Sequence, residues 1–419
     1  MYSASQILSA REERRNVIQS VAQQGSSLYT IKANIPGQNK NLPESYFLTR
    51  IFSSLCKELG CNGRKLFDGA DGAWVVAETQ NPNAKQFAVH LEETHPLGRF
   101  VDIDVYLNGQ TQSVSRGALR KCFVCDKPAF VCGRSGAHTT QQLLSALVSS
   151  TRSWISQELS AIIKQSLMEE LNLENKFGLV TPSSSGSHTD MDYALMQNAQ
   201  DAIIPYLVEM FWIGADCTQI ETLLASLRPV GIAAEKAMYK ATHGVNAYKG
   251  MIFVFGVLLA SVAKAVASGV GESGVFNNVK RACANLTEEL SHADTFGGKA
   301  YKLYRIKGVR GHAEEGFNVV KQASQMLANG EGLLQTLTYI VGNIDDTVLL
   351  KRAGDIQSYT YYKNLIKNLN VKDQNELQRA NELCLKHNLS VGGSADVLAA
   401  SVMFVKLSRL FCLDLEKTL

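Results

Sequence analysis

The sequence predicts two domains, an α/β domain over residues 1–150 followed by an all-α domain over residues 151–419. Three observations carry this. A chain of 419 residues exceeds the usual size of one hydrophobic core. The first part mixes short alternating segments with helical ones, and from Thr140 onward the apolar period is helical almost without interruption.

In chain order, Ser27 to Ala33 reads as a strand ending at the turn Ile35-Pro36-Gly37, and Glu44 to Leu59 as an amphipathic helix. Ala73 to Ala77 and Phe100 to Leu107 read as further strands, with Asn108-Gly109 a hairpin turn into Gln110 to Ser115. After Thr140 no segment of strand length alternates convincingly, and no Gly/Pro linker marks the boundary. The class change alone places it near Ser150. The longest apolar run, Met251 to Ala263, is too short to span a bilayer and is followed by Lys264, so it is expected to be a buried core helix.

Composition narrows the function. A net charge of +3, with opposite signs interspersed, leaves no basic or acidic block for nonspecific binding to nucleic acid or membrane. The start, MYSASQILSAREERRNVIQ, turns charged before any apolar run, so no export is expected. Nine cysteines, an odd number scattered along the chain, fit a reducing, cytoplasmic setting better than a disulfide framework.

Two clusters in the first part can carry chemistry. In GRFVDIDVYL, Val101, Ile103, Val105 and Leu107 alternate with Asp102, Asp104 and Tyr106, so both carboxylates share one strand face. Their separation, roughly 6.5 Å between next-but-one positions, suits joint ligation of Mg²⁺; the plainer reading is the solvated face of an edge strand. In KCFVCDKPAFVCGRSGAH, Cys122, Cys125, Cys132 and His138 can close a tetrahedral zinc site or be ordinary reduced residues of a loop.

The second part repeats another pattern, glycine just ahead of a helix. ATHGVNAYKGMIFVFG places Gly244 and Asn246 before an apolar helix opened by Lys249 and Gly250. SVGGSADVLAAS supplies Gly392, Gly393 and Ser394, and GVRGHAEEGF supplies Arg310 and Gly311. Free amides at such helix starts, with cations near, suit a polyphosphate. Carboxylates accompany them at Asp190, Asp192, Asp345, Asp346 and Asp396, although acids opening a helix also serve its dipole.

REERR near the start, NIPG followed by Lys40, EETHPLGRFVDIDV and the cysteine segment together resemble the apo-citrate lyase phosphoribosyl-dephospho-CoA transferase family. The resemblance implies a nucleotidyltransferase-like domain. In it a serine hydroxyl of the apo acyl carrier subunit of citrate lyase attacks the α-phosphorus of a triphosphoribosyl-dephospho-CoA, and pyrophosphate leaves. On the matching motif it makes Asp102 and Asp104 metal ligands. Such chemistry needs cations on the leaving group; Arg99 and Lys40 are the candidates, and His95 is a candidate acceptor of the serine proton.

KFGLV with GSHTDMD, GIAAEKAMYKATHGVNAYKGMIFVFG, TFGGKAYKLYRIKGVRGHAEEGF and SVGGSADVLA are similar to triphosphoribosyl-dephospho-CoA synthase, from about Leu171 onward. That family has its own all-helical fold. The similarity implies that the 2′-hydroxyl of 3′-dephospho-CoA attacks the anomeric carbon of ATP's ribose and adenine leaves. It suggests Asp190, Asp346 and Asp396 for Mg²⁺ or ribose, Glu235 for the base, Lys240, Lys249 and Arg310 for phosphates, and Asn246, Gly393 and Ser394 as donors.

The sequence departs from the family pattern at Phe177, Thr181, His312, Val348 and Val391, where Pro, Asp, Glu, Asn and Pro are usual. Two lost carboxylates keep open a rival reading, a non-catalytic nucleotide- and carrier-binding partner of citrate lyase. A second rival serves the carrier of malonate decarboxylase instead. The two resemblances support each other, because the product of the second half is the substrate of the first.

Overall fold

A computed structural model describes residues 2–417 apart from Gln24, Cys61 and Ala118. It divides into two compact units: residues 1–158 with 265–272 and 408–419, and residues 159–264 with 273–407. The boundary expected near Ser150 falls inside one continuous helix, Thr140–Leu171, which is why no linker is legible there.

The N-terminal unit is built on a four-stranded sheet, β1 (Ser27–Ala33), β2 (Lys65–Phe67), β3 (Trp74–Thr79) and β4 (Val101–Tyr106), in the order β2-β3-β1-β4. All pairings are antiparallel, and β1 sets Thr30 opposite Asp104 and Lys32 opposite Asp102. One face packs on the helix Ala4–Ala22 through Ile18, Ala22, Leu28, Trp74 and Val76. Along β4, Val101, Ile103 and Val105 are fully buried while Asp102, Asp104 and Tyr106 are only half-buried, as alternation requires.

The expected helix appears as Pro43–Leu55 with a 3₁₀ turn over Cys56–Leu59. The expected strand Gln110 to Ser115 does not form. Asn108 and Gly109 make the turn, both at positive φ, but only Val114 N–H reaches back to Val105 O. Gln110, Thr111, Gln112 and Ser113 offer no apolar face to bury, so continued pairing gains nothing. Residues 408–419 complete this unit: the buried Arg50 guanidinium donates to Cys412 O and Gly269 O at 2.9 and 3.0 Å.

Among its described residues the other unit is mostly helical, every named element being a helix. Helix Lys249–Ala267 is its apolar axis. By length and composition it could cross a membrane, yet 78% of its apolar window is buried within the protein, the core helix that its sequence predicts. Aspartates open several surrounding helices: the side chains of Asp192, Asp346, Asp355 and Asp373 each accept backbone N–H groups of the first turn.

Candidate functional site

In the N-terminal unit Asp102 and Asp104 stand on β4 on the same sheet face as Leu28, Trp74 and Val76, the face on which helix Ala4–Ala22 packs, and both remain half-buried. Asp102 pairs with Arg120, which also donates to Val101 O at 3.1 Å and to Glu92 Oε1 at 3.1 Å. Glu92 is buried, accepts Ile103 N–H at 2.7 Å, and takes a second arginine, Arg116, at 2.7 Å. Burial pushes its carboxyl upward against the pull of those arginines. Lys85 lies near Asp104; burial lowers its pKa, while Asp104 and Glu92 favour its charge.

The string HPLGR now has a physical account. Helix Ala84–Thr94 must turn sharply into β4, and a Cβ on Gly98 would stand 2.3 Å from Glu92 O. Arg99 follows from that turn and donates to Cys122 O at 3.0 Å, anchoring the cysteine segment instead of facing the acidic strand with a free guanidinium. His95 is packed between the rings of Phe52 and Trp154, and its Nδ1 accepts Leu97 N–H at 3.1 Å. Burial alone takes it down to about 4, which makes it a weak base, and its Nδ1 already accepts Leu97 N–H, so His95 is corrected from candidate acceptor of the serine proton to a packed structural residue.

A second charge cluster was not singled out from the sequence. Asp71 is buried and receives Arg11 at 3.1 Å, Lys32 at 3.3 Å and Arg14. Burial opposes its charge, but Lys32, Arg14 and Arg11 hold the carboxyl below the ordinary range. Lys32 itself is lowered by burial to about 8. Lys40, which donates to Ile35 O, senses Asp71 and is likewise lowered by burial. The arginines of REERR thus meet Lys32, which faces Asp102 across the sheet. The only sequence signal was the REERR string itself.

Cys122, Cys125, Cys132 and His138 converge, with one ligand atom from each lying within 4.8 Å of the others, so this cluster can hold a metal ion. Eight described cysteines are free thiols; Cys61 lies outside the described residues.

The helical unit contains a cleft of about 290 Å³. It is lined by residues 246–251 at the start of the core helix, by Gly392, Gly393 and Asp396 at the start of helix Gly392–Leu410, and by Val309, His312, Asp345, Glu170 and Lys176. The first four N–H groups of a helix lack intrahelical acceptors. At the core helix Asn246 Oδ1 accepts that of Lys249 and Tyr248 O that of Ile252, which leaves Gly250 and Met251 with amides at the cleft wall. A Cβ on Gly250 would stand 2.2 Å from Asp396 Oδ2, so glycine is required for the carboxyl to lie against this helix start. Burial raises Asp396 well above the ordinary carboxylate range, and the Asp346 and Glu170 carboxylates add to the rise.

The second glycine motif behaves differently. Asp346 Oδ1 accepts Val348, Leu349 and Gly393 N–H, and Oδ2 accepts Ser394 N–H and Oγ–H, both at 2.8 Å. Five donors exhaust its lone pairs. Asp346 is therefore corrected from magnesium ligand to a cap on two helix starts, and Gly393 and Ser394 from phosphate donors to its partners. Asp346→Ala is expected to destabilise the helical unit by about 2–4 kcal/mol, two caps at roughly 1–2 kcal/mol each. Urea unfolding followed by circular dichroism measures this, and a loss of a few tenths would contradict the assignment.

The remaining expected residues scatter. Lys249 is at the cleft and pairs with Glu235 at 2.9 Å, whereas Glu235 lies on an adjoining groove. Arg310 turns away, 3.9 Å from Glu289, and Lys240 is exposed outside the cleft lining. Gly244, at φ +93°, ends the preceding helix by donating to Tyr239 O. Asp190 is exposed near Arg352 and His188. Sequence reasoning missed the buried pair Glu170–Lys176, 2.8 Å apart on the cleft wall. Two departures are accommodated locally. His312 Nε2 accepts Asp345 N–H at 2.9 Å, a role a carboxylate oxygen also fills, and Phe177 adopts φ +57°, which proline cannot.

Comparison with known proteins agrees with both halves. The family described as CitX, apo-citrate lyase phosphoribosyl-dephospho-CoA transferase, matches residues 2–154, and that described as CitG, ATP:dephospho-CoA triphosphoribosyl transferase, matches residues 156–414. Protein CitXG of Leuconostoc mesenteroides subsp. cremoris is 30% identical, with 90% of this chain and 91% of that protein covered. Protein CitXG of Haemophilus influenzae is 29% identical, with 96% of each covered. A 2-(5''-triphosphoribosyl)-3'-dephosphocoenzyme-A synthase of Haemophilus ducreyi is 30% identical over its whole length and 69% of this chain. The chain accordingly belongs to the CitG family and carries a CitX domain ahead of it, a transferase with both activities of citrate lyase prosthetic-group synthesis.

Proposed function

We propose that residues 151–419 make 2′-(5″-triphosphoribosyl)-3′-dephospho-CoA from ATP and 3′-dephospho-CoA in the helical cleft, and that residues 1–150 transfer its phosphoribosyl-dephospho-CoA part to a serine of the apo acyl carrier subunit of citrate lyase. The protein works in the cytoplasm, and its first domain is nucleotidyltransferase-like. The observation that carries the synthase reading is the meeting, in one cleft, of the amides of Gly250 and Met251, the ammonium of Lys249 and the carboxyls of Asp396, Glu170 and Asp345.

In that cleft the triphosphate of ATP lies against the start of the core helix, where two amides and Lys249 meet its charge. The carboxyls stand where positive charge develops on the ribose as adenine departs. Glu235, on the adjoining groove but held by Lys249 at the cleft edge, is the carboxylate assigned to take the proton of the attacking 2′-hydroxyl. The carboxyls offer oxygen ligands alone, a set that fits Mg²⁺. Asp396 with Glu170 would hold the ion here, and Asp102 with Asp104 in the transferase site; its chemistry is to neutralise phosphate charge.

For transfer, the half-buried face of β4 presents Asp102 and Asp104 between Arg120 and Lys85, with Lys32 across the strand and the Arg11, Arg14 and Lys40 group beyond it. Those cations offset the charge that accumulates on leaving pyrophosphate.

The test of the synthase assignment is free adenine from ATP and dephospho-CoA. Lys249→Ala is expected to lower its release by about 10–10²-fold, the worth of a charge-assisted phosphate contact, with carrier loading from supplied intermediate intact. Equal damage to both activities in a folded variant would overturn the two-site assignment. Offering apo-carriers of citrate lyase and malonate decarboxylase in parallel decides the acceptor.

A further inference from the structure

We propose that Cys122, Cys125, Cys132 and His138 bind one Zn²⁺ that staples the segment following β4, holds it to the turn before β4 through Arg99, and thereby positions Arg120 beside Asp102 for transfer. Cys125 Sγ lies 3.5 Å from Cys132 Sγ and 3.4 Å from His138 Nε2, and all four ligand atoms fall within 4.8 Å of one another. A tetrahedron with Zn–S bonds of about 2.3 Å has sulfur–sulfur edges of roughly 3.8 Å. The four groups therefore need only small shifts to surround an ion. One disulfide would consume two of the thiols and leave a third thiol and the imidazole without a purpose in the same cluster.

The local architecture is that of a metal-held knuckle. Cys122 N–H donates to Lys127 O, and Lys121 bridges Pro128, so Cys122 and Cys125 lie on a tight turn. Cys132 sits on the short helix Ala129–Ser135, and the left-handed Gly136 swings the chain back to bring in His138. Between Tyr106 and Ala129 no described residue belongs to a helix or strand, while Leu119, Val124, Phe130 and Val131 are exposed. A segment with so little apolar core requires another source of order, and a structural ion supplies it. Three thiolates on a divalent ion leave a net negative charge, and Lys121 and Lys127 flank it in sequence.

The staple reaches the reaction through two arginines. Arg99 donates to Cys122 O, and Arg120, two residues before Cys122, binds Asp102, Val101 O and Glu92. These are positioning links, so removing the ion is expected to weaken carrier loading and leave adenine release unchanged.

Metal analysis of the full chain, purified reduced and without added metal, is expected to find one zinc per chain. Cobalt taken up in its place is expected to show thiolate charge-transfer and tetrahedral d–d absorption. Cys125→Ser should lose the metal, and His138→Cys, which preserves four ligands, should retain it. Less than about half an equivalent of zinc, with no uptake of added zinc or cobalt by the reduced wild-type chain, would overturn the proposal, as would iron in its place or a Cys125–Cys132 disulfide in freshly prepared protein. The metal content needs no activity, so it stands or falls apart from the assigned reactions.

Discussion

Asp104→Asn is expected to abolish loading of the apo-carrier, by on the order of 10²–10³-fold or more, while adenine release from ATP and dephospho-CoA continues at the parent rate. Asp104 stands on the half-buried face of β4, opposite Thr30 and near Lys85, and among the described residues no hydrogen bond of its carboxylate competes with a ligand. Asn keeps the shape and removes the charge. Asp102→Asn is expected to act less cleanly, because its partner Arg120 also holds Glu92 and the edge of β4. The assay supplies synthetic intermediate and follows carrier mass. Retention of more than a tenth of parent loading by folded Asp104→Asn would remove this carboxylate from the reaction.

Asp396→Asn is expected to have the opposite selectivity and a second, thermodynamic signature. Adenine release falls by on the order of 10²-fold or more, and carrier loading from supplied intermediate is kept. Burial raises the Asp396 carboxyl well above the ordinary carboxylate range in the folded, ligand-free cleft, and so above the unfolded value of about 3.9. The folded state thus binds this proton more tightly than the unfolded state. Stability attributable to Asp396 is full below the unfolded pKa and declines as pH rises towards the raised folded one. Asn carries no such penalty. Without Mg²⁺, the variant is therefore expected to be more stable than the parent at neutral pH, with the difference closing as pH falls towards about 4. Urea midpoints across that range measure it. A constant difference, or one that grows in acid, would show that burial does not raise the Asp396 carboxyl. Calorimetry offers an independent check: Mg²⁺–ATP binding to the parent should release a proton into buffer, and binding to the variant should not.

The same residues show how far sequence reading extends. Alternation in VDIDVY gave the strand, its buried face and the shared side of Asp102 and Asp104, because a strand's period is a property of neighbouring residues. The core helix was equally legible from its unbroken apolar run. The Cys and His cluster was legible because its four members lie close in the chain. Both family assignments rested on strings such as HPLGR and GVNAYKG, for which Gly98 and Gly250 now have steric reasons.

The chemistry of the helical cleft was not local in that sense. From sequence, Asp346 and Asp396 were equivalent acids, each near a helix start. Only the fold distinguishes them. Asp346 meets Gly393 and Ser394, 47 and 48 residues away, which saturate its oxygens, while Asp396 is set against Gly250 with no such donors among the described residues, and burial pushes its carboxyl well above the ordinary range. Likewise Asp71 becomes a charge centre only because Arg11, Arg14 and Lys32 fold onto it. The sequence by itself determined which elements form and which faces they bury, since those follow from short-range periodicity. Tertiary structure decided which polar groups remain available, since a hydrogen bond or ion pair is satisfied by whatever the fold brings within about 3 Å, at any distance along the chain.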